Sequence, residues 1–561
     1  MMRYAKLFGK TVKSISSQIQ LPSHRLLIQG GFIRESAAGR YFFLPLGLRV
    51  KYKVMAVIRT EMDRVGALEM VSPILHPLEL WQETNRDKAG NFGLMRVVDR
   101  RGAEFALGGT AEEMFVDVVR KFSLSHKDLP FNIYQFSQKF RDELRARGGL
   151  LRAREFTMKD AYSFDRDEQT FVESYETMKT TYTRIFERLG LKTAIVPADN
   201  GYIGGDYCHE FIVECDGGES RYLVSADGGY CAHEDVAIFE VEPINPDELA
   251  KPLTVIDQPQ WVKTIDDMVK HYDLPKSRFL KNVAYKNTTT GEIIIAVIRG
   301  DLEVNKTKLA HVVDAVEQLE TATDNDLAKI GTRHGYVNSW GHQGVRYIGD
   351  HSLTTVINFI GGQKTDTTDT MNVNYGRDFE CEQMADIALA KPGYRTHDSQ
   401  VLLEKQGIEV GNIFQLGYHY STKMKDAHFT DETGQKQPFY MGCYGIGVGR
   451  TMQTIAEIYH DERGIIWPEI VAPFRVHLID LDRGDKAENL YQGLLSANIE
   501  VLYDNRAGVS AGARFADADL IGCPVRLVLS KRTGDKVEWK RRDSDQRELL
   551  SIEAVKNRLS T

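Results

Sequence analysis

The spacing of apolar residues divides the start of the chain into helices and strands. Apolar side chains recur at helical intervals ahead of a predicted strand over residues 67–73, at Leu48, Val54, Val57, Ile58 and Met62. Another strand is predicted over residues 105–109, after which Thr110 could cap a helix over residues 111–121. A hairpin, a helix over residues 167–189 and a strand over residues 209–213 follow. We expect these elements to form one domain over residues 1–230.

A second α/β pattern interrupts this domain. Prolines cluster between residues 243 and 259, and a separate pattern of strands and helices begins after them. The strongest elements beyond them are two strands and a helix, over residues 279–285, 293–298 and 304–313. Strand signals resume over residues 407–417, which we expect to complete the first sheet. The pattern therefore predicts an inserted domain over residues 231–395 and a return to the first domain over residues 396–470.

Strands and helices alternate again near the end of the chain. The segments are residues 476–481, 487–497, 499–503, 515–520 and 525–529. They predict a compact mixed α/β domain over residues 471–561. Since the chain has 561 residues, we expect a multidomain protein of α/β and α+β class.

Composition narrows the class of protein and its setting. The net charge of −8 argues against a polycation but leaves local nucleic-acid contacts open. The six cysteines are dispersed without a C-x-x-C pair, which is typical of a reducing cytoplasm. The most apolar run, residues 293–298, is too short to cross a membrane.

The hairpin over residues 140–160 carries charged side chains around a single aromatic ring. If both flanks are strands, Arg141 and Glu143 share a face, and so do Arg152, Arg154, Phe156 and Asp160. Such a face could hold a nucleotide. A solvated hairpin with alternating charge is the alternative.

A glycine-rich run over residues 441–449 precedes a predicted helix over residues 451–459. Glycine allows close approach of a ligand, and Arg450 at the helix entrance suits a phosphate. A tight strand-to-helix turn is the alternative. A dinucleotide fold is disfavoured, because no acid follows at the end of a strand about twenty residues on.

Taken together, these motifs resemble those of the class II aminoacyl-tRNA synthetases. The residues within the motifs resemble those of the bacterial type of the prolyl branch. Pro73 matches the first motif, which belongs to a dimer interface, and the hairpin matches the second. Residues 445–450 match the third, and residues 461–464 with Trp467 and Pro468 are typical of the prolyl branch. The resemblance implies an antiparallel-sheet catalytic domain, an inserted α/β editing domain and a C-terminal anticodon-binding domain.

The resemblance also implies an activity and its partners. Such an enzyme is a proline–tRNA ligase, which forms prolyl-adenylate from L-proline and ATP and transfers proline to its tRNA. ATP is a substrate, and Mg²⁺ is expected to bridge its phosphates. We expect a cytoplasmic homodimer with neither DNA nor a membrane as partner.

Roles in ATP binding are implied for several matched residues. Arg141 would hold the α-phosphate and the amino acid carboxylate, and Arg450 the γ-phosphate. Glu143 would hold the adenine amino group, Phe156 the adenine face and Arg152 the outer phosphates. Gln415 is expected at the nucleotide, and Glu409 is the best Mg²⁺ ligand.

Roles at the amino acid are implied for four further residues. Thr110 and Glu112 match a Thr-x-Glu motif that can hold the secondary ammonium of proline, whereas helix capping is the alternative for both. His209 and Cys443 would wall the pocket. A structural role is the alternative for His209, and Cys443 is expected to pack rather than act as a nucleophile.

The insertion and the tRNA contacts complete the expectations. Lys281 and Asp350 match editing positions, as do residues 299–301 and Asn305, and the editing site would clear alanine attached to the tRNA for proline. Trp340 stands where the family has proline, a departure that bears on editing.

Arg145 and Arg147 would meet the tRNA acceptor end. The basic residues after position 530 would add affinity at the anticodon or lie on a solvated strand edge.

Two other functions stay open at this point. A class II synthetase for another amino acid would share the motifs, although threonyl enzymes carry zinc ligands in the pocket and no such set stands out. A non-catalytic tRNA-binding paralogue would be expected to lose one of Arg141, Glu143, Phe156 or Arg450, and all four are present. Zinc at Cys231 and His233 would need further ligands.

Overall fold

The first domain, which we call the catalytic domain after the role that the resemblance implies, is built on a mainly antiparallel sheet that the insertion divides in sequence. The computed structural model of the protein describes residues 2–87 and 93–560. In spatial order the main strands are Thr193–Ala198, Tyr207–Glu214, Leu402–Gly417, Tyr440–Gly447, Glu155–Asp165, Phe131–Phe140 and Leu68–Glu69. We call Leu402–Gly417 the central strand, since it joins strands that precede the insertion to strands that follow it.

Helices cover one face of this sheet. The helices Pro45–Arg64, Glu168–Arg188 and Val448–Ile458 share a buried apolar cluster with the central strand. Proline at the start of the first helix and Asp167, which accepts a hydrogen bond from Thr170 N, fix where two of them begin. The remaining helices of this domain are Pro22–Gln29, Leu78–Glu83, Glu112–Val119 and His419–Lys423.

Small hairpins and ladders complete the catalytic domain. The paired strands are Ile33–Ala37 with Arg40–Phe43, Leu75–Pro77 and Arg96–Val98 with Glu104–Leu107, His428–Thr430 with Lys436–Pro438, and His460–Asp461 with Gly464–Ile465. Ser220–Ser225 pairs with the central strand and with Cys231–His233. The catalytic sheet therefore extends a few residues past the predicted boundary at residue 230.

The insertion forms its own two sheets. One has the strand order Leu319–Thr321, Leu280–Asn287, Ile293–Arg299, Val345–Asp350 and Gln383–Ala385. The other has the order Thr254–Asp257, Thr368–Val373 and Phe359–Ile360. The helices are Ile265–Tyr272, Lys306–Val312 and Asp324–Lys329. An uninterrupted apolar strand at Ile293–Arg299 lies at the centre, buried on both faces.

The C-terminal domain is a mixed sheet flanked by helices. Its strand order is Met2–Arg3, Val501–Asp504, Val476–Leu481, Val525–Ser530, Val537–Arg541 and Arg547–Leu550. Its helices are Asp485–Ser496, Ala511–Ile521 and Ile552–Ser560. Residues 2–3 were predicted to belong to the catalytic domain, over residues 1–230, but they join this sheet instead. Arg3 also pairs with Glu488 at 2.7 Å.

Part of the predicted basic surface near the C-terminus is structural. Lys540 and Arg542 are each about 5 % exposed or less. Arg542 donates to both oxygens of Asp461, at 2.6 and 2.8 Å, and to the carbonyl of Asp519 at 2.9 Å. Since Asp461 follows the helix Val448–Ile458, this ion pair joins the C-terminal domain to the catalytic domain.

Two further properties concern the cysteines and the membrane. All six cysteines are unpaired thiols. Across the described residues, every helix is too short or too polar to traverse a lipid bilayer.

We predict that Arg542→Gln loosens the C-terminal domain. Losing the paired, charge-assisted hydrogen bonds to Asp461 should cost about 1.5–3 kcal/mol of unfolding free energy. Thermal unfolding and limited proteolysis between residues 460 and 475 measure the effect. Arg541→Gln is the matched control, because Arg541 pairs with Asp543 on the exposed surface. Equal stability of the two variants would contradict the role of Arg542.

Candidate active site

A cavity of about 250 Å³ lies on the face of the catalytic sheet opposite the helix Glu168–Arg188. It brings together most of the residues that the sequence predicted, namely Thr110, Arg141, Glu143, Arg152, Phe156, Asp160, Glu409, Cys443 and Arg450. Asn412 and Phe414 of the central strand also line it. The cavity thus combines cations, carboxylates and aromatic rings in one space.

Among the described residues, Arg141 and Arg450 are two of the three arginines that line the cavity. The guanidinium of Arg141 lies 5.4 Å from the centre of the Phe156 ring and donates to the Gly109 carbonyl at 3.1 Å. Arg450 donates to the Leu151 carbonyl at 2.8 Å and to the carboxylate of Glu409 at 2.6 Å. Burial, and then the charge of Arg450, lower the pKa of Arg141. Two cations that line the same cavity favour an anionic ligand there.

The connection between the hairpin strands holds Glu143 and Arg152. The strands end at Phe140 and resume at Glu155, so both side chains lie outside the regular ladder. Arg152 donates from Nε and Nη2 to Glu143, at 3.0 and 2.8 Å. Arg154, predicted to share the face of Phe156, instead donates to the main-chain carbonyl of Glu143 at 2.7 Å. Glu143 and Arg152 therefore line the cavity together with Phe156, and Arg154 does not.

A buried charge network lies beneath the aromatic side of the cavity. Asp160 accepts hydrogen bonds from Lys139 and Gln135 at 2.9 Å and from Tyr162 at 3.0 Å. Gln135 in turn accepts from the backbone and hydroxyl of Ser72. Lys139 was not predicted from the sequence, although its place opposite Phe156 in the hairpin register could have indicated it.

Glu112 lies directly behind the cavity wall rather than in it. Its carboxylate is fully buried and accepts from the Thr110 hydroxyl at 2.6 Å and from the Cys443 thiol at 3.2 Å. The helix begins at Glu112, and Thr110 does not cap it. Although burial opposes ionisation, the charge of Arg86 and these donors lower the pKa of Glu112. A carboxylate therefore acts on the cavity through Thr110 and Cys443.

The Cys443 thiol is protonated in this arrangement. Burial, and then the neighbouring carboxylate of Glu112, raise its pKa well above the ordinary value. A protonated thiol is a poor nucleophile. It packs as a small apolar group in the wall of the cavity.

His209 differs from the prediction. Its Nδ1 lies 2.7 Å from the hydroxyl of Tyr175, a residue of the helix Glu168–Arg188. Its neighbour Cys208 packs with Cys443 on the cavity side. Because successive side chains of a strand alternate, His209 points to the helical face and has a structural contact there.

Gln415 also lies away from the cavity. It is buried, donates to Asp206 at 2.9 Å, accepts from the backbone of Asp206 at 2.8 Å and donates to the Tyr440 hydroxyl. Tyr440 packs on Phe171 of the helix Glu168–Arg188. Gln415 therefore faces the helices, in contrast to its predicted place at the nucleotide.

A β-bulge in the central strand explains this difference. Val410 is skipped in the pairing with Tyr207–Glu214. An extra residue reverses the alternation of side chains beyond it. Glu409 before the bulge and Asn412 after it both face the cavity, while Gln415 is turned to the other side. Without the bulge, Glu409 and Gln415 would share a face.

Carboxylates gather at the end of the cavity that holds Arg450. Asn412 donates to Glu409 at 3.0 Å. Burial, and then the charge of Glu409, raise the pKa of Glu210 to about 7. Glu210 Oε2 is buried and has no hydrogen-bond partner among the described residues. Asn412 and Glu210 were not predicted from the sequence, although Asn412 lies two residues before Phe414 and Glu210 two residues after Cys208, a spacing that places each pair on one face of a strand.

Comparison with known proteins identifies the family. The model of the tRNA synthetase class II core domain (G, H, P, S and T) matches residues 95–459, and an anticodon binding domain matches residues 470–561. A proline–tRNA ligase of Sulfurihydrogenibium is 42% identical over 565 residues, which cover 100% of this chain and 99% of that protein. The chain belongs to the proline–tRNA ligase branch of the class II synthetases.

Other relatives agree with this assignment. A proline–tRNA ligase of Thermotoga maritima is 40% identical over 99% of this chain and 96% of its own length. Among solved structures, Giardia lamblia prolyl-tRNA synthetase in complex with prolyl-adenylate matches with a TM-score of 0.56 at 14% identity, over 95% of this chain and 75% of that one. The enzyme of Cryptosporidium parvum complexed with halofuginone and AMPPNP matches with a TM-score of 0.57 at 13% identity, over 98% and 78%. These two structures show a shared fold.

The inserted domain of this synthetase holds a second cavity of about 490 Å³. Lys281 lines it, and its ammonium donates to the Leu302 carbonyl at 3.1 Å. Gly335 and Asn338, in the loop that carries Trp340, also line it. Trp340 packs instead on Phe379, with ring centres 5.3 Å apart. This loop therefore lines the cavity through Gly335 and Asn338, while Trp340 packs on the apolar core of the inserted domain.

Two of the predicted editing positions are structural in this synthetase. Asp350 is 1% exposed and lies outside the second cavity, where its carboxylate accepts from the backbone of Ser352 at 2.9 Å and of Ile387 at 3.0 Å. Asn305 caps the helix Lys306–Val312. The editing prediction for Asp350 is therefore corrected, since its hydrogen bonds fix the end of a strand.

The remaining predicted residues are Arg145 and Arg147, which were expected at the tRNA, and Cys231 and His233, which were considered as zinc ligands. Arg145 and Arg147 are exposed in the loop of the hairpin, and Arg147 pairs with Glu219 at 2.6 Å. His233 Nδ1 lies 3.3 Å from Asp235, and the Cys231 thiol donates to a main-chain carbonyl. Within residues 2–87 and 93–560, no three His, Cys, Asp or Glu side chains are grouped as metal ligands.

We predict that Glu210→Gln removes a pH dependence of stability. The carboxyl titrates near pH 4 in an unfolded chain but at about 7 in the fold, so the stability of the wild type falls as pH rises through this window. The variant lacks this loss, and its Tm relative to wild type should rise between about pH 5 and about pH 8.

Glu404→Gln is the control, because Glu404 is exposed on the central strand. The difference in Tm between Glu404→Gln and wild type should be the same at about pH 5 and at about pH 8. The same behaviour in Glu210→Gln would contradict the shifted titration.

Proposed function

We propose that the protein ligates L-proline to its tRNA in two steps at the 250 Å³ cavity. A carboxylate oxygen of proline attacks the α-phosphorus of ATP, the bond to the β-phosphate oxygen breaks, and pyrophosphate leaves. A ribose hydroxyl at the tRNA end then attacks the prolyl carbonyl, and AMP leaves. The observation that carries the proposal is the convergence of Arg141, Glu143, Phe156 and Arg450 on one cavity in a chain of this family.

The ATP end of the cavity would act by position and charge. Arg141 is held by the Gly109 carbonyl and lies beside Phe156, where it could meet the α-phosphate and the proline carboxylate. Arg450 would meet the γ-phosphate, and Phe156 would stack on adenine. Glu143 and Arg152 pair with each other, and nucleotide binding would exchange that pair for contacts to the adenine amino group and the outer phosphates.

The amino acid end would be formed by Thr110 and Cys443. Both line the cavity and donate their hydrogens to Glu112. Their oxygen and sulfur lone pairs are then available to the secondary ammonium of proline. The buried carboxylate of Glu112 supplies the compensating negative charge.

The donor set at Glu409 fits Mg²⁺. Glu409 is held by Asn412 and Arg450, and the buried Glu210 carboxyl lies near it with one orphaned oxygen. Oxygen ligands of this kind suit Mg²⁺ together with phosphate oxygens. Mg²⁺ would neutralise charge on the phosphates of ATP, and Glu409 would hold it.

Transfer of proline would need contacts beyond the cavity. Arg145 and Arg147 stand on an exposed loop beside it and would meet the acceptor end of the tRNA. The C-terminal domain would read the anticodon by stacking and hydrogen bonding. Six unpaired thiols accord with a reducing cytoplasm.

We also propose a homodimer through the region of the first motif. Leu68 and Val71 are 63% and 73% exposed, and Ile74 and Leu75 are 41% exposed. Apolar side chains clustered at the surface are typical of an interface.

We predict that Arg141→Ala lowers proline-dependent exchange of pyrophosphate into ATP by about a hundredfold or more, because charge compensation at the α-phosphate is lost. Tm and circular dichroism should match wild type. Arg145→Ala is the matched control, and it should keep exchange while slowing tRNA charging. Unchanged exchange in Arg141→Ala would remove that residue from the proposed role.

We propose that the inserted domain hydrolyses alanine from mischarged tRNA for proline. A pocket built for proline rejects alanine by only about 1–3 kcal/mol for each missing methylene, so a second site adds selectivity. The supporting observation is the 490 Å³ cavity, whose rim carries Lys263, Lys276, Lys281 and Lys364. Ammonium groups there would grip the terminal phosphates or ribose of the tRNA.

We predict that Lys281→Ala slows deacylation of alanyl-tRNA for proline by about tenfold, the cost of one charged contact. Proline activation should be unaffected, since Lys281 lies outside the first cavity. Lys251→Ala provides the control, because Lys251 is exposed outside the second cavity. Equal deacylation by the Lys281 variant and wild type would disprove the assignment.

A further inference from the structure

A buried arginine lies behind the amino acid end of the catalytic cavity. Arg86 is 5% exposed and follows the helix Leu78–Glu83. Its Nη1 donates to Glu112 at 3.1 Å and to Glu113 at 2.8 Å. Its guanidinium lies 5.1 Å from the ring centre of Trp81 and 5.4 Å from that of Tyr420. One cation is therefore shared by two consecutive carboxylates.

This arrangement is unusual for the start of a helix. Consecutive helical side chains do not face one another, yet Glu112 and Glu113 both reach the same nitrogen. Both carboxylates are fully buried, and Thr84 also donates to Glu113 at 2.9 Å. Burying two anions is costly unless each is paired and hydrogen-bonded. Arg86 supplies the charge that both require.

Glu112 and Glu113 differ in their other contacts. Glu112 accepts three hydrogen bonds from side chains, from Thr110, Cys443 and Arg86. Burial opposes ionisation of both, but the pKa of Glu112 is lowered and that of Glu113 is raised. The negative charge is therefore held more readily by Glu112, the carboxylate behind the cavity, than by Glu113.

The direction of the Thr110 hydroxyl depends on this charge. While Glu112 is a carboxylate, Thr110 donates to it and presents only lone pairs to the cavity. If Glu112 were protonated, its hydroxyl could donate to Thr110, which would then point its own hydrogen towards the ligand. A hydrogen aimed at an ammonium group would repel it.

We propose that Arg86 is a positioning residue for recognition of the amino acid: it fixes the Glu112 carboxylate so that Thr110 accepts a hydrogen bond from the secondary ammonium of proline. This inference rests on the proposed proline site. Arg86 does not line the catalytic cavity, so it acts through Glu112 and Thr110. It sets affinity for the amino acid and leaves affinity for ATP to Arg141 and Arg450.

The test is exchange of pyrophosphate into ATP by full-length Arg86→Gln, with KM measured separately for proline and for ATP. The KM for proline should rise by about tenfold or more, and the KM for ATP should stay within a factor of about two. The KM for proline should also rise further as pH falls, since Glu112 then takes up a proton more readily. Arg86→Lys, which keeps the charge, should recover part of the affinity.

Arg120→Gln is the matched control for loss of stability alone. Arg120 forms half-buried ion pairs with Glu83 and Asp117 near the same helix but does not contact Glu112. Its variant should lower Tm and leave the KM for proline unchanged. If Arg86→Gln does not fold, Arg86→Lys carries the test through its own ratio of the two KM values.

The possible results separate this inference from the proposed function. Equal increases in both KM values, or a lower Tm with an unchanged KM for proline, would overturn the role of Arg86 while wild-type exchange with proline upholds the function. Absence of proline-dependent exchange in the wild type would overturn the proposed function and this inference with it. A selective, pH-dependent rise in the KM for proline would support both.

Discussion

The pairing of the central strand Leu402–Gly417 is the constraint on which the rest of the structure depends. It hydrogen-bonds to Tyr207–Glu214 and to Tyr440–Gly447, so it closes a sheet whose two parts are separated by the whole insertion. The bulge at Val410 then sets which side chains face the cavity. Glu409 and Asn412 meet on one face because of it, and the apolar positions beyond remain aligned with the helices.

Charge compensation is the second theme of the catalytic domain. Cations and carboxylates around the cavity are held in pairs, with Arg450 on Glu409 and Arg152 on Glu143. An anionic substrate would replace these carboxylates as the partner of each arginine, so the buried charges would stay paired when the substrate binds. Deeper pairs, such as Lys139 with Asp160 and Arg86 with Glu112, are fully enclosed and preserve the arrangement of the wall.

Local patterns in the sequence predicted much of this arrangement, and long-range geometry limited the rest. The helix expected over residues 167–189 is Glu168–Arg188, and the family resemblance is confirmed over the full chain. Gln415 lies away from the cavity, in contrast to the place that the resemblance implied, because the bulge at Val410 turns its side chain to the other face and no sequence pattern marks a bulge. The face that His209 takes is likewise decided by its contact with the neighbouring helix. Pairs such as Arg3 with Glu488 join distant parts of the chain, and no local signal marks them.

The most direct test of the account is exchange of pyrophosphate into ATP by the wild-type protein with Mg²⁺ and each of the twenty amino acids in turn. We predict strong exchange with proline and weaker exchange with small analogues such as alanine or cysteine, because a pocket wall formed by Thr110 and Cys443 would reject a smaller side chain only modestly. Preferred exchange with another amino acid would contradict the assigned substrate. Folded protein without exchange for any amino acid would contradict the catalytic function itself.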